Sequence, residues 1–384
     1  MEVIARLNVG GPATQVMGLC ARLNPEEFEH RLYAGQVDGD EADHFELQHA
    51  ATRIHRVPGL GRAVKAGDDF RALVWLIGAM REFRPHIVHT RTAKAGALGR
   101  MAVRLAGVGS ARVHVFHGHL LHGYFSPAKR HLYVLSERLL ASLSDRLVTV
   151  GSKVRDDLLA AKIGRPEQYI VIPPGVHPVK PPDREAARAC LGIPPDVPVV
   201  AYVGRLTKVK RPDRFLSVAE SVLHRLSECQ FVVCGGGDLA AVVERRSEPL
   251  RRSFHLLGWR KDVENVYAAA DVILLTSDNE GTPLTLIEAG MAGVPVVSTR
   301  VGSVAEVVQD GKTGLLGSTD VGELAAHTVR LLSDRALAIR MGQAARAWTT
   351  GAFGLERLVA DTEDLYRSLC ASTGHRFIAE GNKR

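Results

Sequence analysis

The sequence predicts an α/β protein with two doubly wound parallel sheets, each covered by helices. Three observations support this: strand and helix patterns alternate in the first half, a proline-rich passage follows, and the alternation then restarts. The chain has 384 residues, too many for one small core and enough for two domains of ordinary size. Its 46% apolar and 24% charged residues are typical of a globular protein.

The first half contains five short apolar runs that indicate buried strands. They are EVIARLN, PHIVHT, ARVHVFH, DRLVTVG and YIVIPPG, and amphipathic stretches such as DDFRALVWLIGAMREF and KRHLYVLSERLLASL lie between them. We assign residues 1–175 to this domain. Its first strand lies so near Met1 that we expect a few residues of its beginning to be missing.

The passage IPPGVHPVKPPDREAARACLGIPPDVP has little periodicity and is interpreted as a linker with a short helix over 183–191. Strand patterns then return in VPVVAYVG, QFVVCGGG, SFHLLGW, DVILLTS and VPVVST, with helices between them, the first beginning near Pro212. We assign residues 190–350 to a second domain. Two such domains are expected to face each other across a cleft at the carboxyl ends of their strands, where open α/β sheets bind ligands.

Cysteine usage and hydropathy exclude several classes of protein. The five cysteines are odd in number and form no CxxC pair, which argues against a disulfide framework or a zinc site and favours a reducing cytosol. No apolar run approaches 18 residues and no signal pattern opens the chain. We therefore expect a cytoplasmic protein without a membrane span.

Positive charge is concentrated in the first half. Residues 1–190 hold 26 Lys and Arg against 19 acids, whereas the remainder is balanced. Residues 83–136 contain eight Lys or Arg, seven His and no acid. This segment is either a solvated basic face or a face that meets an anionic partner such as a membrane surface. No nucleic-acid module is present, because aromatic residues are not interleaved with the basic ones.

Two glycine loops follow predicted strands. In NVGGPATQV, Gly10 and Gly11 permit a tight turn before a helix whose N-terminus favours an anion, although such a turn also occurs without a ligand. CGGGDLA matches G-x-G-x-x-A, but a dinucleotide site needs an acid after the next strand. That strand is followed by Trp259 and Arg260, so we reject a dinucleotide site.

Two other motifs do not support a phosphate or metal site. GKTG at 311–314 lacks the P-loop glycine, which is Glu306 here. VDGD at 37–40 resembles the Asp-x-Asp of metal-dependent sugar transferases, but its acid-rich surroundings favour a solvated loop or helix start. We therefore expect neither a metal nor another cofactor.

The segment GRLTKVKRPDRF places two cations after the strand VPVVAYVG. Arg205 falls at the strand end and Lys210 lies in the loop before the next helix. Arginine supplies forked donors and lysine a point charge, so the pair is able to clamp a diphosphate. The alternative is a pair of ordinary loop cations.

The segment SDNEGTPLTLIEAGMAGVPVV carries two acids in apolar surroundings. Glu280 follows the strand DVILLTS, and Glu288 lies inside the helical stretch LTLIEAGMA. Thr282 and Pro283 are predicted as the N-cap and first residue of this helix, whose start offers free N–H groups to an anion. A carboxylate in such a helix costs several kcal/mol unless it has partners, so Glu288 either caps backbone groups or accepts hydrogen bonds from ligand hydroxyls.

Together these features resemble the family 4 glycosyltransferases, which have a GT-B fold of two Rossmann-like domains. The strongest motif is Glu, seven residues, then Glu, in EGTPLTLIEAGMAGVPVVSTRVGSVAEVV, supported by GRLTKVK and NVGGPATQV. VHTRTAKAGALGRMAVRLAG and FHGHLLHGYFSPAKRHLYVLSERLLASLSDRLVTVG resemble the branch that acts in bacterial surface-polysaccharide synthesis. In this fold the C-terminal helix, here about 355–372, packs back on the first domain.

The resemblance implies roles for individual residues. Glu288 binds the ribose hydroxyls of a nucleotide-sugar, and Glu280 meets hydroxyls of its sugar. Arg205 and Lys210 hold the diphosphate, although KVKRP departs from the usual Lys-Gly. His117 corresponds to the histidine beside the donor sugar, with His119 as its rival. The remaining substrate-binding residues are expected to be Gly10, Gly11, Gly204, Arg260, Gly281, Thr282, Pro283 and Leu284.

We therefore expect a metal-independent, retaining hexosyltransferase. It moves a sugar from a nucleoside diphosphate, UDP by preference, to a lipid-linked or saccharide precursor of the cell envelope. The basic first domain then lies at the inner face of the plasma membrane. The alternatives are transfer to a small soluble acceptor, a nucleotide-sugar epimerase or hydrolase of the same fold, and a binding protein without activity.

Overall fold

The computed structural model describes residues 1–7, 11–37, 54–61, 63–118 and 127–372. The chain divides into two compact units. The first contains the described residues up to Gly175 and the C-terminal helix that begins at Leu355; the second is Val176–Gly354. Each unit holds one parallel sheet with helices, which confirms the predicted α/β class.

The first unit is built on a seven-stranded parallel sheet. Its strands are β1 (Glu2–Ile4), β2 (Leu32–Ala34), β3 (Ile54–Arg56), β4 (Ile87–Arg91), β5 (Ala111–Phe116), β6 (Arg146–Thr149) and β7 (Tyr169–Val171). They lie in the order β3-β2-β1-β4-β5-β6-β7. The sequence did not predict β2 or β3, which are three residues long and lie among polar or turn-forming residues.

In the described part of the chain, five α-helices precede the link to the second unit. They are α1 (Gly11–Cys20), α2 (Ala66–Phe83), α3 (Ala93–Ala106), α4 (Pro127–Ser142) and α5 (Ser152–Ala160). Side-chain contacts join the last four into one layer: Arg81 of α2 donates to carbonyl oxygens of Leu105 and Ala106 at the end of α3. Arg100 of α3 then pairs with Glu137 of α4 at 3.0 Å. Arg138 of α4 donates to the carbonyl oxygen that follows α5.

The second unit is built on a six-stranded parallel sheet in the order β10-β9-β8-β11-β12-β13. Its strands are β8 (Val199–Val203), β9 (Gln230–Cys234), β10 (Phe254–Gly258), β11 (Val272–Leu275), β12 (Val296–Thr299) and β13 (Gly314–Gly317). Helices cover both of its faces, so β8 and β11 are apolar along nearly their whole length and buried. Strand β13 was not predicted, since two of its four residues are glycines.

The helices of the second unit alternate with these strands. They are α6 (Arg184–Leu191), α7 (Pro212–Leu223), α8 (Ala240–Ser247), α9 (Val263–Ala269), α10 (Leu284–Ala292), α11 (Val304–Val307), α12 (Val321–Ser333) and α13 (Arg335–Ala352). The short helix predicted within the linker is α6, which begins after Asp183 because that side chain accepts hydrogen bonds from the backbone N–H groups of Glu185 and Ala186. Helix α7 begins at Pro212, as predicted.

The last helix, α14 (Leu355–Ser372), belongs to the first unit. Leu355, Leu358, Leu365 and Leu369 lie three to seven residues apart and are all buried, in one core with β5 and β6. An ion cluster fixes the same helix: Tyr366 of α14 donates to Glu2 of β1 at 2.7 Å.

Glu2 is the centre of that cluster and is only 2% exposed. Arg91 Nε donates to its Oε2 at 2.9 Å, and His89 Nδ1 lies 3.1 Å from its Oε1. Burial raises the pKa of Glu2, but Arg91 and His89 outweigh it and hold that pKa well below the usual range. Glu2 therefore stays ionised and joins β1, β4 and α14.

The prediction of one basic face over residues 83–136 is wrong for four of its basic residues. His89, Arg91, Arg100 and His114 are buried, each 3% exposed or less. They are interior because strands β4 and β5 and helix α3 carry them inward, where Arg91 and Arg100 meet buried carboxylates. Exposed cations of this segment include Arg84, Arg104, Lys129 and Arg130.

Candidate functional site

The predicted site residues of the second unit gather where its sheet reverses direction. From β8 the chain runs outward to β9 and β10, and from β11 it runs the other way to β12 and β13. Strands β8 and β11 are therefore neighbours whose following loops diverge. Such a switch point is where open α/β sheets bind ligands. Arg205 and Lys210 follow β8, and Glu280 follows β11.

Lys210 and Glu280 form an ion pair at this switch point. Lys210 Nζ lies 2.6 Å from Glu280 Oε1, and Ser277 Oγ donates to the same oxygen at 2.5 Å. The Glu280 side chain is 7% exposed and the Lys210 side chain 19%. Lysine has three N–H donors, so Lys210 keeps further donors for a second anion.

Backbone and side-chain hydrogen bonds hold the two loops together. Thr276 Oγ1 donates to the carbonyl oxygen of Arg211 at 2.9 Å, and the Asp278 N–H donates to that of Val209 at 2.8 Å. Arg214, which is buried, donates to the Thr276 carbonyl oxygen and to Asp278. These contacts fix Lys210 beside Glu280 and were not predicted.

Glu280 also depends on a glycine in the loop after the next strand, β12. Gly302 has a φ of +51°, and a Cβ on it would lie 1.8 Å from the Glu280 carbonyl oxygen. The Ser303 N–H donates to that same oxygen at 3.3 Å. Only glycine permits this approach, so the loop after β12 supports the loop that carries Glu280.

Glu288 lies on α10, half-buried, with one hydrogen-bond partner among the described residues. That partner is Tyr267 of α9, whose hydroxyl donates to Glu288 Oε2 at 2.6 Å. Burial raises the pKa of Glu288, and the Tyr267 hydrogen bond opposes that shift. Tyr267 is 1% exposed, and burial followed by the charge of Glu288 raises its own pKa well above 10, so it remains a donor. Glu288 therefore caps no backbone group that the structure describes.

The start of α10 differs by one residue from its prediction. Pro283 is the N-cap, with φ −74° and ψ 110°, and Leu284 is the first helical residue. The Pro283 carbonyl oxygen accepts from Leu286, so proline closes the first turn through its carbonyl. Gly281 and Thr282 precede this turn, both half-buried, between Glu280 and the helix.

The glycines of CGGG hold two loops against each other. A Cβ on Gly235 would lie 1.9 Å from the carbonyl oxygen of Gly204, and the Leu206 N–H donates to the Gly236 carbonyl oxygen at 2.8 Å. These glycines thus bring the loop after β9 into contact with the turn that carries Arg205. Arg205 itself is exposed, and the described residues offer its guanidinium no hydrogen bond.

Arg260 has a local partner that occupies its guanidinium. Its Nε and Nη2 donate to the two carboxylate oxygens of Asp262 at 2.9 and 2.6 Å. The hydrogen bond from Arg260 is the main reason that the pKa of Asp262 lies below its usual range. A ligand at Arg260 would have to share this side chain with Asp262.

The predicted residues of the first unit lie partly outside the described residues. Gly10 and His119 are among those not described, and so is the Asp-x-Asp of VDGD; Gly11 begins α1. His117 directly follows β5, and both of its ring nitrogens are shielded from solvent without a hydrogen-bond partner in the described chain. Burial, then the nearby Arg91 and His89, hold its pKa well below the usual range, so its ring is neutral.

Comparison with known proteins identifies the family. Residues 10–175 match the family described as "Glycosyl transferase 4-like domain", and residues 183–348 match "Glycosyl transferases group 1". The protein is a family 4-like glycosyltransferase. Each match falls within one of the two units, and together they span most of the enzyme.

The relatives of this glycosyltransferase include enzymes with different acceptors. An Escherichia coli protein named UDP-Gal:alpha-D-GlcNAc-diphosphoundecaprenol alpha-1,3-galactosyltransferase is 28% identical over 326 residues, 82% of this chain and 84% of the relative. A D-inositol 3-phosphate glycosyltransferase of Mycobacterium sp. (strain KMS) is 33% identical over 216 residues. That match covers 53% of this chain and only 48% of the relative.

Solved structures confirm the GT-B fold. HepE of Anabaena, determined in complex with UDP, superposes with a TM-score of 0.78 at 20% sequence identity, covering 96% of this chain and 99% of HepE. No helix in the described part of the glycosyltransferase is long and apolar enough to span a bilayer. Among the same residues, no group of His, Cys, Asp and Glu side chains is arranged to hold a metal ion.

Proposed function

We propose that this glycosyltransferase takes a hexose from a UDP-sugar and transfers it, with retention of configuration, to a lipid-linked precursor of the cell envelope. The observation that carries the proposal is the Lys210–Glu280 ion pair at the switch point between β8 and β11. It presents a carboxylate and an ammonium together, one suited to sugar hydroxyls and the other to a diphosphate.

The roles of the four central residues follow from their partners. Among the described residues, both hydrogen-bond partners of the Glu280 carboxylate contact Oε1, which leaves Oε2 for a sugar hydroxyl. Lys210 and the exposed Arg205 neutralise the charge that grows on the leaving diphosphate when the bond from the sugar to its oxygen breaks. Glu288, held by Tyr267 through Oε2, offers Oε1 to the ribose hydroxyls.

In this proposal His117 of the first unit is assigned to the donor sugar. His117 is neutral at pH 7 and so is able to donate one hydrogen bond and accept another at a sugar hydroxyl. No metal enters, because Arg205, Lys210 and the start of α10 supply the positive potential that a metal gives elsewhere. Gly10, Gly11, Gly204 and Arg260 remain assigned to substrate binding, as are residues 281–284.

The acceptor class rests on the name of one relative. The Escherichia coli galactosyltransferase is named for a diphosphoundecaprenol acceptor, and its match spans most of both chains. A lipid-linked acceptor places the enzyme at the inner face of the plasma membrane. The mycobacterial relative is named for an inositol phosphate, a small soluble molecule, which supports a soluble acceptor as the second candidate.

A ligand panel tests the nucleotide-sugar first. A ligand that binds only the folded chain raises its melting temperature, so UDP-, GDP- and ADP-sugars are compared by thermal shift. We expect UDP-sugars to give the largest rise and Glu288→Ala to abolish it. An unchanged rise in Glu288→Ala would contradict the site.

Product analysis then separates the reactions. The UDP-hexose is incubated alone, with a polyprenyl-diphosphate saccharide, and with inositol phosphate. Transfer only to the first acceptor, with an unchanged anomeric configuration, supports the proposal. Transfer to the soluble acceptor supports the second candidate, and a changed or hydrolysed sugar without acceptor indicates an epimerase or hydrolase.

A further inference from the structure

Helix α4 of the first unit exposes a row of leucines that the proposed chemistry does not use. Leu132, Leu135 and Leu139 are 68%, 47% and 67% exposed. Their spacing of three and four residues places them on one face of the helix. Single exposed apolar residues are ordinary, but a row on one helix face indicates a surface that binds something.

The opposite face of α4 is packed in the normal way. Leu140 and Ala141 are buried in the core of the first unit, and Glu137 is buried against Arg100. Helix α4 therefore has a packed inner face and, separately, an exposed apolar row.

Charge selects the occupant of this surface. Glu137 is the single acid between residues 127 and 142, and it is turned inward to Arg100. Lys129, Arg130, His131 and Arg138 are exposed. Lys129 lies on one side of the leucine row, and His131 and Arg138 lie on the other. An apolar stripe with cationic flanks and no exposed acid matches an anionic lipid surface, where leucines enter the acyl boundary and cations meet headgroups.

We propose that the outer face of α4, defined by Leu132, Leu135, Leu139 and the cations beside them, docks this glycosyltransferase on an anionic bilayer. The inference rests on the proposed lipid-linked acceptor, and it defines the surface of the enzyme that meets the bilayer holding that acceptor. The helix lies on the bilayer and does not cross it.

Vesicle flotation tests the surface on the full chain. Wild-type protein is mixed with phosphatidylcholine vesicles with and without phosphatidylglycerol, at low and high salt. We expect binding only to the anionic vesicles, weakened by salt. The variant L132Q/L135Q/L139Q is expected to lose at least about tenfold in partitioning, since three apolar side chains no longer enter the bilayer. The variant K129Q/R138Q is expected to lose about fivefold per charge and much of the salt dependence.

A matched control is Ile339→Gln on α13, whose side chain is 50% exposed in the second unit. It is expected to float like wild type. Retention of the melting-temperature rise with a UDP-sugar shows that each variant is folded. Wild-type protein that ignores anionic vesicles, or a triple variant that binds them as wild type does, would overturn the proposal.

Further outcomes distinguish membrane docking through α4 from self-association and from the proposed transfer to a lipid-linked acceptor. If light scattering shows a dimer that the triple variant abolishes while flotation stays negative, the surface pairs with a second copy and the bilayer is excluded. An enzyme that floats through α4 but transfers no sugar keeps the docking surface and loses the proposed function. Transfer to a lipid-linked acceptor without flotation retains the function and overturns the surface.

Discussion

Each unit contains a shielded carboxylate, Glu2 in the first and Glu288 in the second, and the two differ in how many hydrogen-bond partners they have. Glu2 in the first unit meets Arg91, His89 and Tyr366, which occupy both of its oxygens. Glu288 in the second unit has Tyr267 alone among the described residues, on one oxygen. A carboxylate accepts about four hydrogen bonds, so Glu2 is nearly saturated and Glu288 is not. The saturated carboxylate holds helices and strands together, whereas the unsaturated one is available to a ligand.

Glu280 stands between these two extremes. Lys210 and Ser277 both contact its Oε1, and the described residues give Oε2 no partner. One oxygen is thus fixed by the protein while the other is available. The contrast between Glu2 and the pair Glu280 and Glu288 predicts which substitution affects stability and which affects catalysis.

The largest effect is expected for Glu2→Gln. The change leaves Arg91 buried without its counter-charge, which costs about 3–5 kcal/mol of unfolding free energy in the first unit. Peptide-resolved hydrogen exchange measures it as faster exchange in β1, β4 and α14. Glu26→Gln, an exposed position of the same unit, is the control. If Glu2→Gln showed the same hydrogen-exchange protection as wild type, Glu2 would not have the stabilising role that distinguishes it from Glu280 and Glu288.

Glu280→Gln is expected to act on the reaction. Glu280 positions Lys210 and is proposed to bind a sugar hydroxyl, so losing its charge should lower kcat by about 100-fold, the order found for one electrostatic contact in an active site. The melting temperature should stay near that of wild type, because the 19% exposed Lys210 side chain remains hydrated. Turnover of the UDP-sugar and the melting temperature show the result, with Glu323→Gln as control; a kcat equal to that of wild type, or a clearly lowered melting temperature, would contradict it.

Tyr267→Phe is expected to weaken UDP binding by about tenfold. Its hydroxyl is the donor that orients Glu288, and a hydrogen bond to a charged group contributes about 1.5 kcal/mol. Calorimetric titration with UDP measures the loss. Tyr169→Phe removes a comparable hydroxyl from the first unit and should leave UDP affinity unchanged; an equal loss in both variants would contradict a local role.

The smallest effect concerns pH. Burial raises the pKa of Glu288 above 4.5, so the folded chain keeps this proton over a range where the unfolded chain has released it. Stability from this group is therefore full below pH 4.5 and declines as pH rises through the raised pKa. UDP affinity should change in the opposite sense, falling as pH drops towards that value. Glu288→Gln should flatten both profiles, and unchanged slopes would show that another group titrates.

The sequence predicted the longer elements of both units and the two-sheet class. Strands β8, β9 and β11 were found because buried parallel strands are nearly continuous apolar runs. Strands β2, β3 and β13 were missed because they are short or rich in glycine, and their pairing with a neighbouring strand defines them. Burial of Arg91 and Arg100 was missed because their partners Glu2 and Glu137 are remote in sequence.

The sequence predicted the charged residues of the candidate site. It did not predict the residues that hold those side chains in position. Arg205, Lys210, Glu280 and Glu288 were selected from motifs, and the structure brings Lys210 and Glu280 into contact. Tyr267 was missed because it lies 21 residues from Glu288 on another helix. Gly302 was missed because nothing in VGSV reveals the carbonyl oxygen that approaches it. The roles of Tyr267 and Gly302 both depend on residues that are close in space and distant in sequence.

Among the described residues the chain passes between the units twice, after Gly175 and after Gly354, and contacts within each unit hold the residues beside these points. Val176 N–H donates to the carbonyl oxygen of Phe353 at 2.9 Å within the second unit, and Gly175 packs on Leu355 and Leu358 within the first. The second unit therefore begins and ends at one place, as an insertion between β7 and α14. An exchange of residues 176–354 for those of a relative would transplant its switch point intact and leave the docking helix in place.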